Sequence, residues 1–347
     1  MAGTMTPLER TMTAIGQKEP DRVPFFLLTT MHGAKELNMS IREYFSRAEN
    51  VIKGQVALQK KYDSDCYYGF FYASAEVEAW GGDVIYITDG PVNAGRPIIR
   101  SPQDIASIEV PEIASCNNLK KITGCLSGLT KASAGKIPVI GVVMSPFSVP
   151  VMQMGFEAYL DLIYREPELF RELMKKNQQF CADWANAQLE AGANAICYFD
   201  PVSSPTCVPP ELYRKTGMVI AKETISRIKG PTATHFASGR TLPVIDDLAT
   251  TGTAILGTSA IEDIGEVKRA CNKRLTVLGN LNGIEMRRWT PAIAEERVKE
   301  TIARAGRGGG FILSDNHGEI PWQVPDSVLL AISRAVKKYG TYPLDRD

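Results

Sequence analysis

Two short apolar runs in this chain each end in a lone histidine beside a turn: residues 233–239 read ATHFASG and residues 311–321 read FILSDNHGEIP. The sequence has only three histidines, so two of them sit in the same kind of local setting. Imidazole exchanges protons near neutrality and also ligates metals. A single histidine at a strand end is ordinarily a hydrogen-bonded structural residue. Two at one rim would be a candidate site, and if both runs are strands of one barrel, His235 and His317 share a mouth.

Elements able to bring them together are visible along the chain. Thr6-Pro7-Leu8-Glu9 supplies a capping threonine, a proline at the first helical position and a glutamate that reaches back, which predicts an opening helix. A strand is predicted over residues 23–29 (VPFFLLT). Ser40-Ile41-Arg42-Glu43 repeats the capping signature before a long helix to about Lys61, and residues 65–72 (DCYYGFFY) read as a second strand. Gly81-Gly82, Asp89-Gly90-Pro91 and Gly95 break the alternation and predict an inserted hairpin at about 76–100. The pattern resumes with a helix near 119–132, a strand at 138–144 and a helical region from 156 to 192 divided at Glu166-Pro167. Strands at 195–200, 232–237, 254–258, 276–281 and 310–314 then alternate with helices at 211–228, 243–250, 264–271, 292–305 and 327–338.

Strands apolar on both faces and separated by helices imply a parallel sheet covered on both sides. Eight such units in 347 residues favour one α/β domain over 1–347, a closed (β/α)8 TIM barrel rather than an open doubly wound sheet. The glycine run Gly306-Arg307-Gly308-Gly309-Gly310 precedes a strand, whereas a dinucleotide phosphate loop follows one. Active sites of the barrel lie at the C-terminal ends of its strands. The residues expected there are Thr29 to His32, Tyr72, Ser145, Asp200, His235, Ser259, Asn280, Asn282 and His317.

Lys+Arg and Asp+Glu balance at 39 each, so no net field draws nucleic acid or an anionic membrane. No apolar run approaches the roughly 18 residues of a membrane span, and MAGTMTPLERTMTAIG lacks the pattern of a secretory leader, so a cytoplasmic protein is expected. Seven cysteines without CxxC spacing read as reduced thiols packed as small hydrophobes. The partner expected on these grounds is a small molecule or a protein.

Several segments together resemble one family. TPLERTMTAIGQKEPDRVPF, YFDPVSSPTCVPPELYRKTG, ATHFASG, LGNLNG and FILSDNHGEIP are similar, in order and over nearly the whole chain, to the uroporphyrinogen decarboxylase superfamily, closest to its cobamide-dependent methyltransferase branch. The decarboxylase proper holds its substrate's carboxylates with arginines after the first strand and uses an aspartate at the end of the second. Residues 24–33 here contain no arginine, and GFFYAS at 69–74 contains no aspartate, so porphyrinogen decarboxylation is not expected.

The methyltransferase branch usually holds zinc with a His-x-Cys pair and a distant cysteine. His235 matches the first ligand, while Ala237 and His317 stand where the cysteines would be. The resemblance thus implies catalytic His235, His317 and Asp200, with zinc on His235, His317 and a third ligand from Cys207, Asp200 or Glu319. From their places at the strand ends, Tyr72, Ser145, Asn280, Asn282 and His32 are expected around the bound group, although Asn282 reads better as a turn cap.

Zinc would act as a Lewis acid on the heteroatom losing its methyl group, and replacing thiolate by imidazole suits an oxygen or nitrogen donor. The expected reaction moves a methyl group from a small methoxylated or methylamine-type donor to the cobalt of a corrinoid. The cobalt-ligating Asp-x-His-x-x-Gly signature is absent from this chain, so a corrinoid protein would bring the cofactor, or it would come free. The alternatives are transfer from methylcobamide to a coenzyme M-type thiol, a decarboxylase-like lyase, and a barrel that binds without catalysis. A homodimer is left open. Met31, Met144, Met152 and Met154 with Phe147 and Phe156 are either an apolar wall for the donor or core filling, and Tyr67, Tyr68, Phe70, Phe71 and Tyr72 read mainly as barrel filling.

Overall fold

Apolar alternation sets the frame of the molecule. The computed structural model describes residues 4–316 and 318–344. Strand β1 is Tyr67–Tyr68. It is followed by a two-stranded antiparallel ribbon, β2 (Val84–Ile85) with β3 (Asn93–Ala94), and then by β4 (Val139–Met144), β5 (Ala195–Phe199), β6 (Thr232–His235), β7 (Ile255–Gly257), β8 (Thr276–Leu281) and β9 (Phe311–Asp315). Seven of these form one parallel sheet in the order β1-β4-β5-β6-β7-β8-β9, each neighbour following in sequence with helix between.

The segment expected as the first strand makes a single parallel bridge, Phe25 to Leu313, with amide bonds from Phe26 to the Leu313 carbonyl and from Leu313 to the Pro24 carbonyl, both 2.9 Å. On its other side the Asp65 amide donates to the Phe25 carbonyl at 2.7 Å. It therefore lies between β9 and the chain entering β1, and the sheet curls around to it. Pro24 has no amide proton to give a ladder, which keeps the contact to a bridge. The second predicted strand, 65–72, is likewise reduced to two residues.

Side-chain alternation sorts the strand residues into two populations. Phe26, Tyr68, Ile140, Val142, Leu278 and Ile312 point into the curl, while Phe25, Tyr67, Val139, Val143, Val277 and Leu313 pack outward under the helices. Most predicted helices are present: Pro7–Ile15 with the Thr6–Glu9 capping box, Asn117–Ser133, Phe156–Arg165 and Pro167–Glu190 split at the proline, Ile264–Cys271, Pro291–Ala305 and Asp326–Tyr339. Three differ. The helix expected to Lys61 breaks at Arg47, whose extended backbone (φ −137°, ψ 142°) separates Ile41–Ser46 from Ala48–Tyr62. The 211–228 helix breaks at Thr216, and 243–250 is a 3-10 turn leading into Ile245–Leu248.

At the N-terminal end of the sheet a charge cluster ties the opening helix to the sheet. The fully buried Asp65 carboxylate accepts from Arg10 Nη1 at 2.6 Å, Arg22 Nη1 at 2.7 Å and the Phe25 amide at 2.8 Å. Among the described residues no helix is long and apolar enough to cross a membrane.

Candidate active site

Because the inward side chains fill only the lower part of the curl, a cavity of about 400 Å³ remains above them, open toward the C-terminal ends of the strands. Its walls are apolar: Ile140, Val142, Met144, Leu278 and Ile312 come from strands, Leu28 from the segment that bridges to β9, Met152 from the short helix Pro150–Met154, and Pro91 and Val92 from the connection between β2 and β3. Aromatic rings of Phe26, Tyr68, Phe70, Tyr72 and Phe199 face it, and so do His235, Ser314, Asp315 and Glu319. Among the described residues no lysine or arginine lines it.

His235 closes β6 at the rim. Its ring stacks on Phe199 at 5.4 Å between centroids and 26° between planes. Gly257 of β7 lies directly across in register, and a Cβ there would come within 2.3 Å of the imidazole, so the glycine leaves the space that the ring occupies. The chain turns at once, with Ala237 in the left-handed region (φ 51°), and the Ala237 amide donates to His235 Nδ1 at 2.9 Å. Nδ1 is therefore the unprotonated nitrogen, and the neutral ring carries its proton on Nε2.

Two carboxylates line the same cavity. Asp315 ends β9, is 3% exposed and accepts from the Leu28 amide at 3.3 Å. Glu319 accepts from the Thr30 hydroxyl and the Met31 amide. Burial pushes the Glu319 carboxyl up to about 7, against the opposing effect of those two donors.

The expected site residues divide. His235 and Tyr72 do line the cavity, although the Tyr72 hydroxyl turns away to donate to Glu78 at 2.9 Å. His317 lies outside the described residues.

Asp200 is not on the cavity. Its buried carboxylate accepts from the hydroxyls of Ser145 and Ser203 at 2.5 Å and of Ser148 at 2.8 Å, which fixes the loops after β4 and β5; Ser145 is used there too. Burial raises the Asp200 carboxyl, and the three serine hydroxyls oppose that shift. Cys207 is exposed on the loop after β5 and does not line the cavity. His32 is 1% exposed, begins the short helix His32–Glu36 and donates from Nε2 to the Pro321 carbonyl at 3.0 Å; burial lowers its pKa to about 4, so it is a neutral packed residue.

Asn280 bonds the carbonyls of Ser259 and Glu262 at 3.0 Å each, and Asn282 caps the next turn through the Glu285 amide at 3.1 Å; both face a separate polar groove. What the sequence reading underweighted was the aromatic run. Tyr68, Phe70 and Tyr72 fall on one face by alternation, while Tyr67 and Phe71 pack outward. Of the methionine wall, Met144 and Met152 are on the cavity, Met31, Met154 and Phe147 are buried in core packing, and Phe156 is 45% exposed.

Among the described residues no three histidine, cysteine, aspartate or glutamate side chains assemble as a metal site. A metal-ligating histidine holds its second nitrogen as a donor to an acceptor, whereas Nδ1 of His235 receives an amide proton. The zinc set expected on His235, His317 and Cys207 includes His317, which lies outside the described residues; of the other two, His235 lines the cavity and Cys207 does not.

The sequence profile described as uroporphyrinogen decarboxylase matches residues 6–339, almost the whole chain. The chain belongs to the uroporphyrinogen decarboxylase family. Within this family, the uroporphyrinogen decarboxylase of Alcanivorax borkumensis is 23% identical, with 96% of this chain and 99% of that protein covered. That of Neisseria meningitidis is 23% identical over 250 residues, 67% of this chain and 68% of that one. Among solved structures, a methyltransferase from Methanosarcina mazei superposes with a TM-score of 0.85 at 18% identity, covering 96% of this chain and 99% of that one, and so shares the fold. A B12-independent methionine synthase from Shewanella is more distant, with a TM-score of 0.56 at 12% identity, 86% of this chain and 89% of that chain being covered.

Proposed function

We propose that this family member is a methyltransferase built on the closed eight-unit barrel, moving a methyl group from a small donor in the cavity to the cobalt of a corrinoid delivered at the mouth. The observation that carries this reading is the lining of the cavity, which is apolar and aromatic, has two carboxylates, and has no cationic side chain among its described residues. A porphyrinogen that bears several carboxylates needs positive partners in a low-dielectric site, so the decarboxylase reaction named for the relatives is disfavoured here. The likeness of fold to the Methanosarcina methyltransferase supports the same choice.

A volume of about 400 Å³ suits a small ligand, so the corrinoid belongs across the rim, on another molecule or free. Reduced corrinoid cobalt supplies a strong nucleophile when bound there. This chain's residues hold the donor with its methyl group toward the opening, exclude water with the Met144 and Met152 thioethers and the Phe199 ring, and orient the donor through His235 and Glu319. Alignment of this kind is worth several orders of magnitude in rate.

The test is to supply reduced free cobalamin and follow its spectrum while a panel of methylated small molecules is offered. Conversion that depends on enzyme and falls at least tenfold in a His235→Ala variant supports the reading. Consumption of uroporphyrinogen, with no demethylation of any donor, would replace it by the decarboxylase.

A further inference from the structure

Two hydroxyls in the cavity wall are left unused by the fold. On β9, Ile312 and Ser314 line the cavity while Leu313 between them packs outward; on β1, Tyr68 lines it and Tyr67 packs outward. Ser314 is 3% exposed and Tyr68 6%. Other hydroxyls near the strand ends are spent inside the protein, those of Ser145, Ser148 and Ser203 on Asp200 and that of Thr30 on Glu319. Among the described residues the Ser314 hydroxyl meets no hydrogen-bond partner, and that of Tyr68 meets only the Cys66 thiol, a weak one. Burial, then the neighbouring Cys66, Cys197 and Asp315 groups, raise the Tyr68 phenol well above its usual value, so it stays a neutral donor. Asp315 follows Ser314 directly, and β1 and β9 lie on either side of the segment bearing Phe26 and Leu28, so both hydroxyls border one patch of wall.

We propose that Tyr68 and Ser314 determine the specificity of the cavity by donating hydrogen bonds to an oxygen of the methyl donor, whose class is then a small, largely apolar molecule with an oxygen acceptor; this rests on the methyltransferase reading above. The apolar wall binds any ligand of suitable size and does not choose among them. Choice comes from buried polar groups, because a ligand that dries a hydroxyl without pairing it pays the full loss of hydration. A site built to hydrogen-bond its substrate therefore rejects the analogue that lacks the partner far more strongly than an apolar pocket rejects a missing methylene. Asp315 and Glu319 are acceptors, so what Tyr68 and Ser314 add to the lining is donors.

Calorimetric titration with acetophenone and with α-methylstyrene, in which a methylene group replaces the carbonyl oxygen, separates hydrogen bonding from shape. Acetophenone is expected to bind at least about tenfold more tightly, although it is the less apolar of the two. Tyr68→Phe keeps the ring and Ser314→Ala removes one atom, so both variants are expected to keep native far-UV circular dichroism. Each should cut the preference about threefold or more by weakening acetophenone alone, and the double variant should erase it; if one single variant fails to fold, the other decides. Equal affinity of the wild type for the two ligands, no heat from acetophenone at millimolar concentration, or a preference that survives in the folded variants overturns the proposal. Methyl transfer to cobalamin whose KM is unchanged by Tyr68→Phe and Ser314→Ala would keep the methyltransferase and refute this inference. A preference that depends on the two hydroxyls, with no methyl group reaching cobalamin from any donor, would do the reverse.

Discussion

At the scale of single residues, the most informative side chain outside the cavity is Glu76. It is 4% exposed, its Oε1 accepts the Met144 amide at 2.8 Å, and its Oε2 has no hydrogen-bond partner among the described residues. Burial raises its carboxyl from 4.5 to about 8, the single amide opposing. Between those values the native state holds a proton that the unfolded chain has released. Stability therefore falls as pH rises through this window, by at most about 1.4 kcal/mol per pH unit. Glu76→Gln keeps the acceptor and cannot ionise. It is expected to be about 1–3 kcal/mol more stable than wild type at pH 8 and nearly equal near pH 5. Urea unfolding at the two pH values checks this, and parallel curves for the two proteins would show that Glu76 does not titrate in this range.

Elements are set by local signals that do not depend on the rest of the fold. Thr6 accepts from the Glu9 amide, and Glu9 returns a bond to the Thr6 amide at 2.8 Å, so Thr6→Ala should cost about 1 kcal/mol, read as a shift in the urea midpoint with unchanged m-value. Strand-to-strand register has a sharper consequence. Gly257 faces His235 across β6 and β7, with space only for hydrogen. Gly257→Ala is expected to displace the imidazole from the Phe199 face and cut methyl transfer at least tenfold while far-UV circular dichroism stays native; full activity would show that the ring's position is not critical.

For the whole molecule, closure of the curled sheet depends on a buried charge. Asp65 joins the opening helix through Arg10, the following segment through Arg22, and the Phe25 backbone that bridges to β9. Asp65→Ala leaves the nearly buried Arg22 guanidinium without a carboxylate and Arg10 with Asp21 alone, and the expected loss is about 3 kcal/mol. Thermal unfolding measures it, and a change under about 1 kcal/mol would mean that the cluster relaxes to water.

The sequence by itself determined the alternation of strand and helix, the caps, the helix break at Pro167 and the family, because these are written in short-range patterns and in ordered motifs along the chain. Only the tertiary structure decided what the polar residues do. Asp200, Ser145, His32, Asn280 and Asn282 all follow strands as expected, yet each is consumed by neighbours that lie far off in sequence or is turned to another groove. The aromatic run at 67–72 was legible as barrel filling but not as a cavity wall, because alternation shows which face a side chain takes and not whether that face is filled. His235 was legible as a strand-end histidine, but its protonated nitrogen was fixed by the turn at Ala237, a backbone geometry that no spacing of residue types specifies.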